Sequence, residues 1–370
     1  MKDKGERKVR YALVGAGNIA QVAVLPAFSH ARENSELVAI VSDDAEKRAE
    51  LAKRYGVELT GTHDELERVI ERGRVDAVYV ATPNHDHRPT TERAARAGAH
   101  VLSEKPMAVT VEDCEAMIAA TRAAGVKLMI AYRLHFEEAN LRAVELVQSG
   151  KLGEVKVFSS TFSQMVRPGD IRTGPEGVGG GALYDMGPYP INAARYLFRD
   201  EPIEAFATCL RGGRVDGADE TTVAVLRFPG DRVAHFAISL GAASVSSYRV
   251  AGTEGDLRLE PAYDYAGELK HYLTLGGQTE ERTFKKRDQF APELVHFSRC
   301  ILEGTEPEPS GEEGLADVRI IRALHQSAES GRPVKLEPFA RTQRPSLAHE
   351  MRKPPVKEPK TVNAPSPSEK

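Results

Sequence analysis

The chain has 370 residues, 41% of them hydrophobic and 28% charged, with a net charge of −4. That length and balance predict a globular protein with two domains and two cores. The mixed signs give no basic face for nucleic acid, and no apolar run approaches the roughly 20 residues that a membrane helix needs.

The N-terminal run Met1-Lys2-Asp3-Lys4-Gly5-Glu6-Arg7-Lys8 has no apolar core and is not read as a signal peptide. Val9 to Val14 reads as a short buried strand. Gly15-Ala16-Gly17-Asn18-Ile19-Ala20 follows, a G-x-G-x-x-A turn opening an amphipathic stretch to about Ala31. The first glycine permits the tight turn, Gly17 lets backbone approach a pyrophosphate, and the small Ala20 lets helix pack on strand. The helix N-terminus then offers free N–H groups to phosphates. A second strand, Leu37 to Val41, ends at Ser42-Asp43-Asp44. An acidic residue here binds the ribose 2′-OH of NAD, whereas a small polar residue with a cation nearby tolerates the 2′-phosphate of NADP. Ser42, with Lys47 and Arg48 in the next helical turn, leans to NADP. Asp43, one place late, keeps NAD open, and Ser42-Asp43 also suits a helix N-cap.

The alternation continues. Asp64 to Arg72 reads as a helix. Asp76 to Pro83 reads as a strand leading to Asn84-His85-Asp86-His87, and Arg88 to Ala97 as a helix. Ala99 to Leu102 is a strand, Val111 to Ala124 a helix, and Val126 to Ala131 a strand ending at Tyr132-Arg133. Strands separated by helices of this length predict a parallel, doubly wound sheet. His85 and His87 have no third ligand at hand, so no metal is expected. Ser103-Glu104-Lys105-Pro106 closes the Ala99–Leu102 run. Ligands of such sheets bind outside the carboxyl ends of the strands, where Lys105 can hold a charge beside a cofactor and a substrate hydroxyl. A solvated loop lysine in an ion pair is the plainer alternative.

After about Gly150 the character changes. Val155 to Phe162 reads as a strand, a Gly-rich loop runs over 169–181, and a helix spans roughly Pro188 to Phe198. Strands near 203–211, 221–228, 232–240, 246–260 and 267–275 predict an antiparallel meander. Helices near 291–304 and 312–330 close an α+β domain. An open sheet leaves a face to cover, which predicts a homodimer or homotetramer packed through it. From Arg341 the chain turns Pro- and Lys-rich, with six of the 22 prolines in the last 30 residues. That predicts a disordered tail or an arm on a neighbour. The fold class expected is α/β: a Rossmann NAD(P)-binding domain over 1–133, an α+β substrate and oligomerisation domain with a mainly antiparallel sheet over 134–338, and a tail over 339–370. Cys114, Cys209 and Cys300 lack CxxC spacing, which fits a reducing cytoplasm and not a structural zinc site.

Asp185, Tyr189 and Asn192 recur at spacings of four and three, which share one helical face. Gly187 and Pro188 mark the helix start. A tyrosine acts as acid or base only beside a group that helps it lose its proton, and Lys105 is the candidate ammonium. Alternatively, Asp185 caps the helix and Tyr189 is half-buried core.

Several of these segments together give the chain a family likeness. Gly15-x-Gly17-x-x-Ala20, Ala81-Thr82-Pro83-Asn84 with His87, Glu104-Lys105-Pro106, Ala131-Tyr132-Arg133 with His135, and Asp185-x-Gly187-x-Tyr189-x-x-Asn192 occur in this order. With them the chain resembles the Gfo/Idh/MocA oxidoreductases from about Arg10 to Lys335. Most of that family has His where Tyr189 stands; the glucose–fructose oxidoreductase branch has Tyr. That branch also has Ser and Lys five apart after the second strand, matched by Ser42 and Lys47. Its Trp-Arg near the nicotinamide is Ile171-Arg172 here. Its N-terminal arm wraps the cofactor, whereas only eight residues precede the first strand here.

The resemblance implies that Gly15, Gly17, Asn18, Ile19, Thr82, Pro83, Asn84, His87, Glu104, Lys105 and Arg133 line the cofactor. It places Ser42 and Lys47 on the 2′-phosphate and Arg172 near the nicotinamide. It implies oxidation of an aldose at C1 to the lactone with NADP. Tyr189 and Lys105 would form the acid–base pair and Asp185 would orient the sugar, with Arg133 and Asn192 as further substrate contacts. Two other readings stand beside it: an NAD-dependent sugar or cyclitol dehydrogenase, and a non-catalytic NADP-binding sugar sensor.

Overall fold

The computed structural model describes residues 7–341 and 343–368, so the Met1–Lys8 segment falls almost wholly outside the described residues. Strand β1 (Val9–Val14) runs into a π-helical turn, Ala20–Val24, continued by α1 (Leu25–Ala27). Then come β2 (Ser35–Val41), α2 (Ala45–Tyr55), β3 (Leu59–Gly61), α3 (Leu66–Gly73), β4 (Ala77–Val80), α4 (His87–Arg96), β5 (His100–Ser103), α5 (Val111–Ala123) and β6 (Leu128–Ile130). All six strands are parallel, in the order β3-β2-β1-β4-β5-β6. Side chains alternate across this sheet. Leu13, Tyr79 and Leu102 enter one core, and Val14, Val80 and Val101 enter the other. The strand order reverses between β1 and β4, and the crevice at their carboxyl ends is where such sheets take ligands.

The chain continues through α6 (Glu138–Gln148), β7 (Val155–Met165), a one-turn helix α7 (Ala182–Asp185) and α8 (Pro188–Phe198). Strands follow: β8 (Glu204–Leu210), β9 (Thr221–Phe228), β10 (Arg232–Ser239), β11 (Gly241–Gly252), β12 (Gly255–Leu259), β13 (Leu269–Leu275) and β14 (Gln278–Phe284). Helices α9 (Ala291–Glu303) and α10 (Gly311–Ser330) and the short β15 (Val334–Lys335) follow, and a single 3-10 turn, Leu347–His349, lies beyond them. The second sheet has nine strands, antiparallel except where β10 lies parallel to β7. The stretch expected as one strand over 246–260 is the hairpin of β11 and β12, turned at Thr253 and Glu254. Short β3 and β15, and β14, which buries only Phe284, carry little apolar pattern and escape sequence reading.

Two expectations change. Helix α9 does not close the second sheet; its Leu294, Val295 and Phe297 join Tyr11, Leu13 and Tyr79 beneath the first. The segment after 338 is not a free tail. Arg341 pairs with Glu308 and Glu313 at 2.9 Å each, and Arg344 with Glu201 at 2.6 Å. These buried carboxylates need counter-charges, and leaving them unpaired is expensive. The tail therefore lies on its own chain. No described helix is long and apolar enough to cross a membrane.

Candidate active site

Every site residue expected from the sequence lines one cleft of about 1220 Å³. That is roomy beside the roughly 300–1,000 Å³ of most ligand sites. The cleft begins at the glycine turn. Gly15 has φ +92°, and a Cβ there would stand 2.5 Å from the Ala81 carbonyl, because β1 and β4 are neighbours. A Cβ at Gly17 would meet nothing within 4 Å, so this backbone is open to a ligand. Asn18 and Ile19 continue the wall at the start of the helix. These features fit a dinucleotide cradle: a strained turn, bare backbone and a helix N-terminus.

At the end of β2, Ser42 is buried and faces the cleft with Lys47. The helix N-cap is Asp44, whose side chain accepts from the Lys47 N–H at 3.0 Å. Asp43 accepts from the His63 backbone N–H at 2.9 Å and lies 2.8 Å from its Nδ1. These bonds hold its carboxyl below the usual range. The residue that kept NAD open is thus engaged by His63. Beyond β4, Thr82 and Pro83 line the cleft, and Asn84 Nδ2 donates to the Gly179 carbonyl at 2.8 Å, tying the first sheet to the Gly-rich loop. His87 is fully buried, its Nδ1 2.9 Å from the Pro106 carbonyl and its Nε2 3.0 Å from that of Thr82. It braces the ends of β4 and β5 against each other.

Lys105 follows β5. Its Nζ donates to the Asp185 carbonyl at 2.8 Å, sits 3.7 Å from Asp185 Oδ1, and lies 4.8 Å from the centre of the Tyr189 ring. Glu104 beneath it accepts from the Tyr79 hydroxyl at 2.8 Å, and burial pushes its carboxyl upward against the pull of Lys105. Asp185 also accepts from Arg172 Nε at 3.1 Å, and Arg172 Nη1 donates to Asp170 at 2.9 Å. The Asp185 carboxylate therefore serves two cations and caps no helix.

Arg133 Nη2 donates to the Tyr189 hydroxyl at 3.3 Å. Arg133 is buried, bonded to Gln289 and to the Tyr263 carbonyl, and packed on the rings of Tyr189 and Tyr265 at 5.2 and 5.3 Å. Sequence reading missed this nest, because Tyr263, Tyr265 and Gln289 lie far along the chain with no motif. Asn192 lines the cleft, but its amide is bonded to His135 at 2.7 Å, Glu313 at 2.8 Å and Asp317 at 3.3 Å. It anchors the site's floor to a buried charge network centred on Arg195. Asn363 to Pro367 of the tail also line the cleft, with no sequence signal beyond their prolines.

A family model described as an oxidoreductase family with an NAD-binding Rossmann fold matches residues 9–132, and one for the GFO/IDH/MocA C-terminal domain matches residues 140–258. The chain belongs to the Gfo/Idh/MocA family. A D-xylose 1-dehydrogenase [NADP(+)] from Haloarcula marismortui is 34% identical over 344 residues, covering 90% of this chain and 94% of its own. The solved aldose-aldose oxidoreductase from Caulobacter crescentus is 40% identical with a TM-score of 0.85, covering 89% of this chain and all of its own. A 3-ketoreductase from Actinomadura kijaniata, solved with NADP, is 27% identical with a TM-score of 0.80, covering 86% and 98%.

Proposed function

We propose that the protein is an NADP-dependent sugar oxidoreductase that oxidises an aldose at C1 to the lactone. The observation that carries this is the meeting of Lys105, Asp185 and Tyr189 where the dinucleotide cradle opens onto the second sheet. When bound, the nicotinamide supplies a hydride acceptor. Tyr189 takes the C1 hydroxyl proton as general base. Lys105 binds the same oxygen, and both it and Arg133 stabilise the negative charge on the phenol once its proton has been lost. Asp185 accepts from sugar hydroxyls, steadied by Arg172. Asn192 acts by position, holding the helix that presents Tyr189.

Ser42 and Lys47 take the 2′-phosphate, a choice supported by the engagement of Asp43 with His63. The xylose dehydrogenase and aldose-aldose oxidoreductase among the relatives favour a monosaccharide substrate. A panel of aldoses with NADP, followed by absorbance of the reduced nicotinamide, tests this reading. Reduction of NADP by none of the aldoses, or reduction of NAD alone, overturns it.

The open face of the second sheet exposes Phe206, Leu210, Val223 and Val225. Two subunits pack there, and a monomeric mass by light scattering at micromolar concentration would refute that assembly. Three free thiols suit a reducing cytoplasm.

A further inference from the structure

The last described residues do more than satisfy buried carboxylates. After Lys360, whose carbonyl accepts from Arg54 at 2.6 Å, the chain crosses the cleft. Val362 makes two bonds with Gln21, its N–H donating at 2.7 Å and its carbonyl accepting at 2.8 Å. Gln21 donates also to the Ala16 carbonyl within the glycine turn, at 2.9 Å. Asn18 Nδ2 donates to the carbonyls of Ala364 and Pro365 at 3.1 Å each. On the far side, the Arg167 N–H donates to the Pro367 carbonyl at 2.9 Å, and Ser368 pairs with Val166 just beyond β7. One short segment is therefore bonded to both sheets' sides of the cleft, with its middle forming part of the wall.

We propose that residues 362–368 are a cofactor-retaining strap that completes the dinucleotide site, so that NADP stays bound while one sugar leaves and the next enters. The chemistry of the segment suits that task. Thr361 to Ser368 carry no charge, so nothing in them repels a phosphate. Asn363 donates to Asp44 at 3.2 Å and to Glu46 at 2.8 Å, tying the segment to the first turn of α2, beside Ser42 and Lys47. Pro365 and Pro367 fix φ, which keeps the strap extended and lowers the entropy lost on ordering it. The anchors at Arg341 and Arg344 lie outside the cleft, so the strap can open without undoing them.

This inference rests on the NADP reading above. The test compares NADPH release from the full chain and from a chain ending at Lys360, by stopped-flow fluorescence with excess NADP as the chase. Release at least tenfold faster from the shortened chain is expected. Equal release rates overturn the strap. Tighter binding by the shortened chain also overturns it, because the segment would then compete for the cofactor's place. If the shortened chain does not fold, the full-length variant Val362→Pro with Asn363→Ala carries the same comparison. It loses the N–H given to Gln21 and the amide given to Asp44 and Glu46. NADPH bound by neither chain overturns the cofactor reading itself, an outcome distinct from equal release.

Discussion

Replacing Tyr189 with Phe separates chemistry from packing. The hydroxyl accepts one long bond, 3.3 Å, from Arg133. The ring keeps its edge contact with Phe162 at 5.1 Å, its contact with Tyr263 at 5.6 Å, and the Lys105 ammonium over its face at 4.8 Å. Stability should fall by only about 0.5–1.5 kcal/mol, the net worth of one ordinary hydrogen bond. Loss of a general base removes about 10²–10⁴ in rate, or about 3–5 kcal/mol of barrier. Turnover should therefore drop at least a hundredfold while thermal unfolding moves by a few degrees and NADP binding stays within about threefold, the precision of such a comparison. Lys105→Met should cost as much. The double variant should cost little more than the worse single one, because the two groups act on one proton. Steady-state and single-turnover rates at saturating aldose and NADP measure all three. Tyr189→Phe with turnover within threefold of the parent would refute the assignment, whatever happened to its stability.

Three further outcomes follow from the same structure. Ser42→Asp with Lys47→Ala should weaken NADP tenfold or more while leaving NAD within a few-fold, by loss of a charge-assisted phosphate contact; titration of both cofactors checks it, and an unchanged ratio goes against the pair. Arg195→Met removes a cation shared by Glu201, Glu313 and Asp317; Arg344 and Arg341 still pair with the first two, and the buried carboxylates are left with too little positive charge. It should destabilise the protein by about 3–5 kcal/mol in urea unfolding, and a loss under 1 kcal/mol would count against the network. Burial raises the Asp219 carboxyl from 3.8 to about 6, and its Oδ1 has no hydrogen-bond partner among the described residues. A raised carboxyl favours the fold in acid, and that contribution is lost as pH rises through about 6. Asp219→Asn, neutral throughout, should match the parent at pH 4 and exceed its stability at pH 8 by about 3 kcal/mol. A difference that did not change with pH would refute this.

What the residues alone determine here is local. A glycine turn between an apolar strand and a helix needs only its own residues to signal a phosphate cradle. Alternating strands and helices over 9–131 lead to one parallel sheet, since parallel neighbours require crossovers. Gly187-Pro188 marks a helix start because proline suits the first turn and lacks the N–H that a later turn would need. The family motifs likewise place Lys105, Asp185 and Tyr189 in one site. What only the tertiary structure decided are pairings between distant segments. The hydroxyl of Tyr189 meets Arg133, not Lys105, because the guanidinium is held by Gln289 and the Tyr263 carbonyl. Asn192 commits its amide to His135, Glu313 and Asp317 because a buried charge network must be satisfied. Helix α9 covers the first sheet, since its apolar stripe would suit either sheet and periodicity does not name a partner. The tail reads as disordered on composition, yet Arg341 and Arg344 find buried carboxylates that composition cannot see, and its last residues come to lie across the glycine turn.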